Sequence, residues 1–209
     1  MKYLWLVGLL CQASWAGQLN LEYSQFYSHL KKIDKTELAA LQFSFGFKQV
    51  GSTELCHIQH AEVITQKVTL PVEITAEQRF TLPIEKALKL ADAVVSIELQ
   101  ELPNQCDLSV QLETKAEFLK QQYSQSELSE INQQFKQFFS DMGGLFSFMM
   151  PSSAGLKLWF AQTPAGPSAI KGMTHSGSQL IVSENWFEQA EEDLILAQKP
   201  LRITALMDR

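Results

Sequence analysis

Strict alternation over Leu41-Gln-Phe-Ser-Phe-Gly-Phe-Lys48 puts Leu41, Phe43, Phe45 and Phe47 on one face and Gln42, Ser44, Gly46 and Lys48 on the other. A period of two predicts a strand with one buried face. The other strong pattern has helical spacing: Leu128, Ile131, Phe135, Phe138 and Met142 recur at steps of three and four, and Phe139 widens the stripe. Ser124-Gln-Ser-Glu127 just before it reads as a capping box, with Ser124 accepting from the residue 127 amide and Glu127 reaching back. Gly143-Gly144 supplies the stop. The helix is amphipathic, with one wet face.

Weaker signals fill in the remainder. Leu19–Tyr23 alternates like a strand, and Ser24–Lys31 reads as a short helix or turn, capped by Ser24 or Ser28, with Phe26, Tyr27 and Leu30 inward. Glu54–Thr65 is expected to form a hairpin with the strand at 41–48. Val68–Ile74 and Arg79–Leu82 are β-prone runs limited by Pro71 and Pro83, and Ile84–Ala91 has helical spacing. Ala93–Leu99 and Cys106–Glu113 are strands, the second with Cys106, Leu108, Val110 and Leu112 as its apolar face. Beyond Pro151 come strands at Leu156–Gln162, Gln179–Ser183 and Leu201–Met207, a turn at His175–Ser178 and a helical piece at Glu184–Asp193. The expected fold is α+β: an antiparallel sheet packed on one main amphipathic helix, with a small β-rich C-terminal part as a subdomain or an extra layer. The expected boundaries are 1–16, 17–150 and 151–209.

The first sixteen residues change the picture of where this fold lives. Lys2, the apolar run Tyr3–Leu10 and Ser14-Trp-Ala16 read as a signal peptide cleaved after Ala16, which places the mature chain in the periplasm. The apolar run is far short of the ~20 residues that span a bilayer. Cys11 raises a lipoprotein reading, but Leu10 is not the small residue that a lipid-attachment motif wants. Net charge is −6, and loss of Lys2 with no acid makes it −6 − 1 = −7. With no basic stripe, nucleic acid is not an expected partner.

Cleavage also removes Cys11 and leaves Cys56 and Cys106, for which a single disulfide is the default in an oxidising compartment. A redox-active pair would instead want C-x-x-C spacing.

Several segments carry a family resemblance: Tyr23–Leu30, Leu55-Cys-His-Ile58, Leu82-Pro-Ile-Glu85 with Leu88 and Ala91, Cys106-Asp-Leu-Ser109 with Thr114-Lys115, and Asp141–Phe146 leading to Pro151 and Gly155. On these pieces, falling in this order across about Gln18 to Phe160, the chain resembles a family of uncharacterised exported proteins of Gram-negative bacteria, domain of unknown function 2987. The resemblance implies a secreted or periplasmic location and a paired Cys56 and Cys106. It implies no activity.

Candidate chemistry is sparse. His57 and His60 are three apart, which on a strand places them on opposite faces, and a bridged Cys56 leaves no thiolate to join them at a metal. Ser28-His-Leu-Lys31 matches the S-x-x-K of penicillin-interacting enzymes, but Lys171-Gly-Met-Thr174 is not the companion K-T-G. The sequence offers no G-x-S-x-G, H-E-x-x-H, P-loop or dinucleotide motif, so no catalytic residue, metal ligand or cofactor is assigned. The aromatic and methionine cluster from Phe135 to Met150 reads first as core packing; in the rival reading Phe146, Phe148, Met149 and Met150 line an apolar groove for a lipid or an apolar peptide. The functional expectation is a non-enzymatic periplasmic protein acting by binding, either in cell-envelope upkeep or as a partner to another envelope protein. A carrier of an apolar small molecule or lipid is the alternative, and a hydrolase around Ser28, Lys31 or His57 ranks last.

Overall fold

The computed structural model describes residues 17–143, 153–163, 171–189 and 193–207. In chain order the elements are β1 (Gly17–Glu22), α1 (Tyr23–Leu30), β2 (Leu41–Gln49), β3 (Ile58–Ile64), β4 (Thr69–Pro71), α2 (Lys86–Leu90), β5 (Val94–Leu99), β6 (Cys106–Thr114), β7 (Gln122–Tyr123), α3 (Gln125–Gly143), β8 (Ser153–Trp159), β9 (Met173–Ser176), β10 (Gln179–Ser183), α4 (Glu184–Gln189), β11 (Leu194–Ile195) and β12 (Arg202–Met207). The architecture is α+β, with antiparallel sheets, one main helix and a β-rich C-terminal part.

Two four-stranded sheets run in the orders β1-β5-β3-β4 and β12-β8-β10-β9, and β2 pairs with β6 as a separate ribbon. The ribbon's register runs from Leu41↔Thr114 to Gln49↔Cys106. The expected hairpin between 41–48 and 54–65 forms only at its closed end, where Lys48 bridges Leu55, the Gln49 N–H donates to the Glu54 carbonyl at 3.0 Å and the Cys56 N–H donates to the Phe47 carbonyl at 2.7 Å. Beyond that end the chain leaves β2, and β3 belongs to the first sheet, against β5 and β4. Alternation shows which side chains share a face but not which strand lies alongside, so it does not reveal that β3 pairs with the distant β5.

The core is one cluster of buried side chains drawn from every layer. It joins Phe26 and Leu30 of α1, Phe43, Phe45 and Phe47 of β2, Leu128, Ile131, Phe135 and Phe138 of α3, Leu156 and Leu158 of β8, and Ile203 of β12. The α3 stripe is therefore inward as its spacing demands, except that Met142, in the last turn, is exposed. On β6 the expected face is covered only at its ends, where Cys106 and Leu112 are buried. Leu108 and Val110 are 40% and 37% exposed, whereas Glu113 on the other face is only 7% exposed.

The helix start follows the sequence signal. Ser124 Oγ accepts the Glu127 N–H at 3.2 Å, and Glu127 Oε2 accepts the Ser124 N–H at 2.9 Å. Ser124→Ala is expected to cost about 1 kcal/mol, read as a fall of roughly 2–4 °C in the thermal midpoint. The α1 start differs from its expected Ser24 or Ser28 cap. The residue before the helix is Glu22, no side chain caps it, and Ser24 Oγ bonds Glu22 Oε2 at 3.0 Å instead.

Candidate functional site

The polar face of β2 is not wet. Gln42, Ser44 and Gly46 share it with Glu113, Gln111 and Ser109 of β6, their direct register partners, yet Ser44 is fully buried. Over this face, at Gly46, lies the turn between the bridge pair Ile74 and Phe80. Thr75 N–H donates to the Arg79 carbonyl at 2.7 Å and closes that turn. Gln78, at its tip, takes a positive φ of 58°. The turn can lie this close because residue 46 is glycine. A Cβ there would stand 2.9 Å from the Gln78 carbonyl oxygen and 3.6 Å from Arg79 Cγ.

Two charged side chains hang from this turn, and each reaches a different strand. Arg79 lies beside Glu113 of β6, whose Oε1 accepts from Gln42 Nε2 at 3.4 Å. Glu77 pairs with Arg202 of β12. The Arg202 guanidinium carbon sits 4.2 Å above the Trp159 ring, and Trp159 Nε1 donates to Thr204 Oγ1 at 2.9 Å. Because Ile203 N–H donates to Thr114 Oγ1 at 3.3 Å, β6 and β12 meet here. The turn thus ties the ribbon to the C-terminal sheet.

The hydrogen-bonding capacity of this cluster is not used up. Among the described residues, Arg79 Nε and Nη1, Glu113 Oε2 and Arg202 Nε are buried without a partner, and buried Ser44 Oγ faces Glu113. Leaving one such group dry and unpaired costs about 1–3 kcal/mol, more when it is charged. The electrostatics follow the same burial. Desolvation pushes the Glu113 carboxyl up, against Gln42, Arg79 and Ser44, which favour its charged form. Desolvation also lowers Arg79, opposed by Glu113, and brings Arg202 down to about 10.

A pH effect follows from Glu113. Its folded-state pKa lies above the ordinary glutamate value, so the folded chain holds the proton to higher pH than the unfolded chain does. Its contribution to stability is therefore greatest below the ordinary value and falls as pH rises through the raised one. Glu113→Gln is expected to flatten that segment of the stability curve, measured by urea unfolding across mildly acidic to neutral pH.

The residues singled out from sequence do not converge on this cluster. Ser28 is exposed, and its Oγ donates to the Gln25 carbonyl at 2.6 Å rather than to Lys31. His57 and His60 are both exposed, with a register shift between Ile58 and His60. His60 Nε2 lies 3.4 Å from Glu62 Oε2. Phe146, Phe148, Met149 and Met150 lie outside the described residues. Cys56 and Cys106 are joined in a disulfide, with their Cα atoms 6.3 Å apart.

Two surface hollows lie elsewhere. One, of about 130 Å³, is bounded by Phe118, Tyr123, Ile131 and the polar ends of Lys120, Glu127 and Gln134. The other, of about 660 Å³, is an open dish over Lys48–Thr53 and Asp107. None of the unpartnered atoms belongs to their lining residues.

The polar cluster was missed because alternation predicts a second face without saying whether anything covers it. The one available hint was Gly46 in the middle of an otherwise bulky strand, since a strand glycine marks close backbone approach.

Both cysteines, Ser44, Arg79 and Glu113 fall within the stretch matched by a family model, described as Protein of unknown function (DUF2987), which covers residues 15–160. The chain belongs to that family. Arg202 and the strands β9, β10 and β12 lie beyond the matched stretch, which ends just after β8 of the C-terminal sheet. No curated protein and no solved structure matches the chain. Among the described residues, no helix is long and apolar enough to cross a membrane.

Proposed function

We propose that this member of the family is an exported protein of the cell envelope that acts by binding. Its partner would place a polar, peptide-like group, with donors and acceptors of its own, beneath the Thr75–Arg79 turn. The observation that carries the reading is that the two sides of this turn hold unpartnered buried groups of both kinds: guanidinium N–H groups of Arg79 and Arg202 as donors and the Glu113 carboxylate as acceptor. Such a site suits recognition rather than chemistry, because its charges are matched in pairs and none faces an activated nucleophile. The export half of the proposal is supported by the Cys56–Cys106 bridge, which belongs in an oxidising compartment, and by the leader-like residues 1–16.

The test is photocrosslinking in intact Gram-negative cells, with the crosslinking residue at exposed Thr75 on the rim of the cluster. A discrete adduct is expected, reduced at least tenfold by Arg79→Gln, since a lost charge-assisted hydrogen bond is worth about 1.5–3 kcal/mol. An adduct that survives both Arg79→Gln and Glu113→Gln, in variants that still unfold cooperatively, would reduce the cluster to a tie between sheets. A lipid-sized mass that rides on the native protein and leaves on denaturation would favour the apolar carrier instead.

A further inference from the structure

The outer edge of the ribbon, along β6, is open backbone. The Phe45 and Phe47 backbone groups on β2 turn away from β6, to Phe80 and Cys56. Alternation in an antiparallel pair then gives the ribbon's bonds to Asp107, Ser109, Gln111 and Glu113, and aims the N–H and C=O groups of Leu108 and Val110 outward. Among the described residues β6 pairs with β2 alone, and those outward groups have no backbone partner. The Leu108 and Val110 side chains are exposed as well, although Phe47 and Phe45, directly opposite on β2, are buried.

Edge strands are ordinarily shielded by shortness, by proline or lysine, or by a bulge. β4 and β9, each at one end of a four-stranded sheet, have three and four residues. β6 has nine, with no proline, lysine or register shift. It is occupied only towards its C-terminal end. There the Ile203 N–H donates to Thr114 Oγ1 at 3.3 Å, and the Leu112 carbonyl accepts from Gln111 Nε2 at 3.1 Å. The open stretch is Asp107–Gln111, with Ser109 at its middle.

We infer that this edge pairs with the same edge of a second copy of the chain, antiparallel about Ser109. Self-complementarity singles out that occupant. With Ser109 facing Ser109, Leu108 of each copy stands opposite Val110 of the other, in pairs that exchange both N–H···O bonds. One face of the joined ribbons then carries the row Phe45, Val110, Leu108, Phe47, so the aromatic face of β2 continues across the seam. The other face carries Lys48, Asp107, Gln111, Ser44, which sets Asp107 between a lysine and an amide donor. Moving the register so that Val110 faces Val110 would put Asp107 against Glu113, like charge against like. Five residues a side is far below the about 20–30 of a standard interface, so the dimer is a weak one.

Disulfide trapping in the full mature chain, with the Cys56–Cys106 bridge intact, tests both the partner and the register. Facing residues of a non-hydrogen-bonded pair have Cα atoms about 4.5 Å apart, which a disulfide spans. Ser109→Cys is therefore expected to give a covalent dimer under mild oxidation. Asp107→Cys is the control. Asp107 is the more exposed of the two, yet in this register it lies roughly 13 Å along the strand from its own counterpart. Ser109→Cys should be trapped at least about tenfold faster, because paired thiols react at an effective concentration near millimolar rather than at that of a dilute protein. In sedimentation equilibrium the wild-type chain should show a monomer–dimer equilibrium, weakened at least about tenfold by Val110→Lys, since an edge lysine blocks strand addition.

Equal trapping rates for Ser109→Cys and Asp107→Cys would overturn the inference. So would a wild-type chain that stays monomeric up to its solubility limit, or a self-association that Val110→Lys leaves unchanged. A monomer whose Ser109→Cys variant traps a different protein in intact cells would give the edge to an extended segment of that protein, and equally overturns the second copy. If Ser109→Cys disturbs the native bridge, the comparison of wild type with Val110→Lys decides the matter, because Val110 is exposed and its replacement leaves the core intact.

Discussion

Phe45→Ala is expected to destabilise the protein by about 3–5 kcal/mol, the usual cost of emptying a buried phenylalanine site. Phe45 is fully buried, with its ring edge-on to Phe26 at 4.9 Å and 5.9 Å from Phe80. Its backbone is committed as well: Phe45 and Phe80 exchange N–H···O bonds of 2.8 Å in both directions. The residue thus joins α1, β2 and the covering turn, and the cavity left by alanine is bounded by elements that other contacts hold in place. The thermal midpoint should fall by at least roughly 6 °C. A loss below about 1 kcal/mol would mean that the aromatic cluster collapses freely and that Phe45 is not its centre.

The second large effect concerns the disulfide. Cys56 and Cys106, separated by 50 residues, join the start of β6 to the segment entering β3, and so link the ribbon to the first sheet. The chain-entropy model gives about 4 kcal/mol for a loop of that length. The double variant Cys56→Ser/Cys106→Ser, compared with wild type by urea unfolding, is expected to lose about that much. The Cys56 N–H bonds the Phe47 carbonyl at 2.7 Å, and Gln49 stands opposite Cys106 across the ribbon. Native geometry therefore already brings the two sulfurs together, and an unchanged unfolding midpoint would show that the reduced chain is equally constrained.

Much of this was legible in the sequence, for reasons that are local. The capping box of α3 needs only residues 124 to 127, and the structure contains both of its hydrogen bonds. The span read for β10 matches the structure at both ends, Gln179–Ser183, because a glycine turn and a helix start bound it. The cysteine pairing followed from counting, since only two candidates remained once the leader was set aside. The α+β class and the family were also readable, the latter from short pieces in fixed order.

What was not legible depends on distance. The partner of β2 lies beyond β3, β4, α2 and β5 in the chain, and nothing in the alternation of either strand names the other. The same blindness hid the candidate site. Glu113 follows Leu112 at the end of a strand and reads as a solvated acid, Arg79 sits among turn-like polar residues, and Arg202 opens the last strand. They become a cluster only when the turn at Thr75–Arg79 folds over Gly46. Leu108 and Val110 show the converse case, since both have the right spacing for a core face yet lie where little covers them.

The most direct test of the account is the intact mass of the full-length gene product, exported by a Gram-negative host and purified without reducing agent. The account predicts a chain that begins at Gly17 and is two hydrogens lighter than the sum of its residues, with no free thiol. A mass that retains the first sixteen residues, or one in which Cys56 and Cys106 both react with a thiol reagent in the native protein, would contradict it.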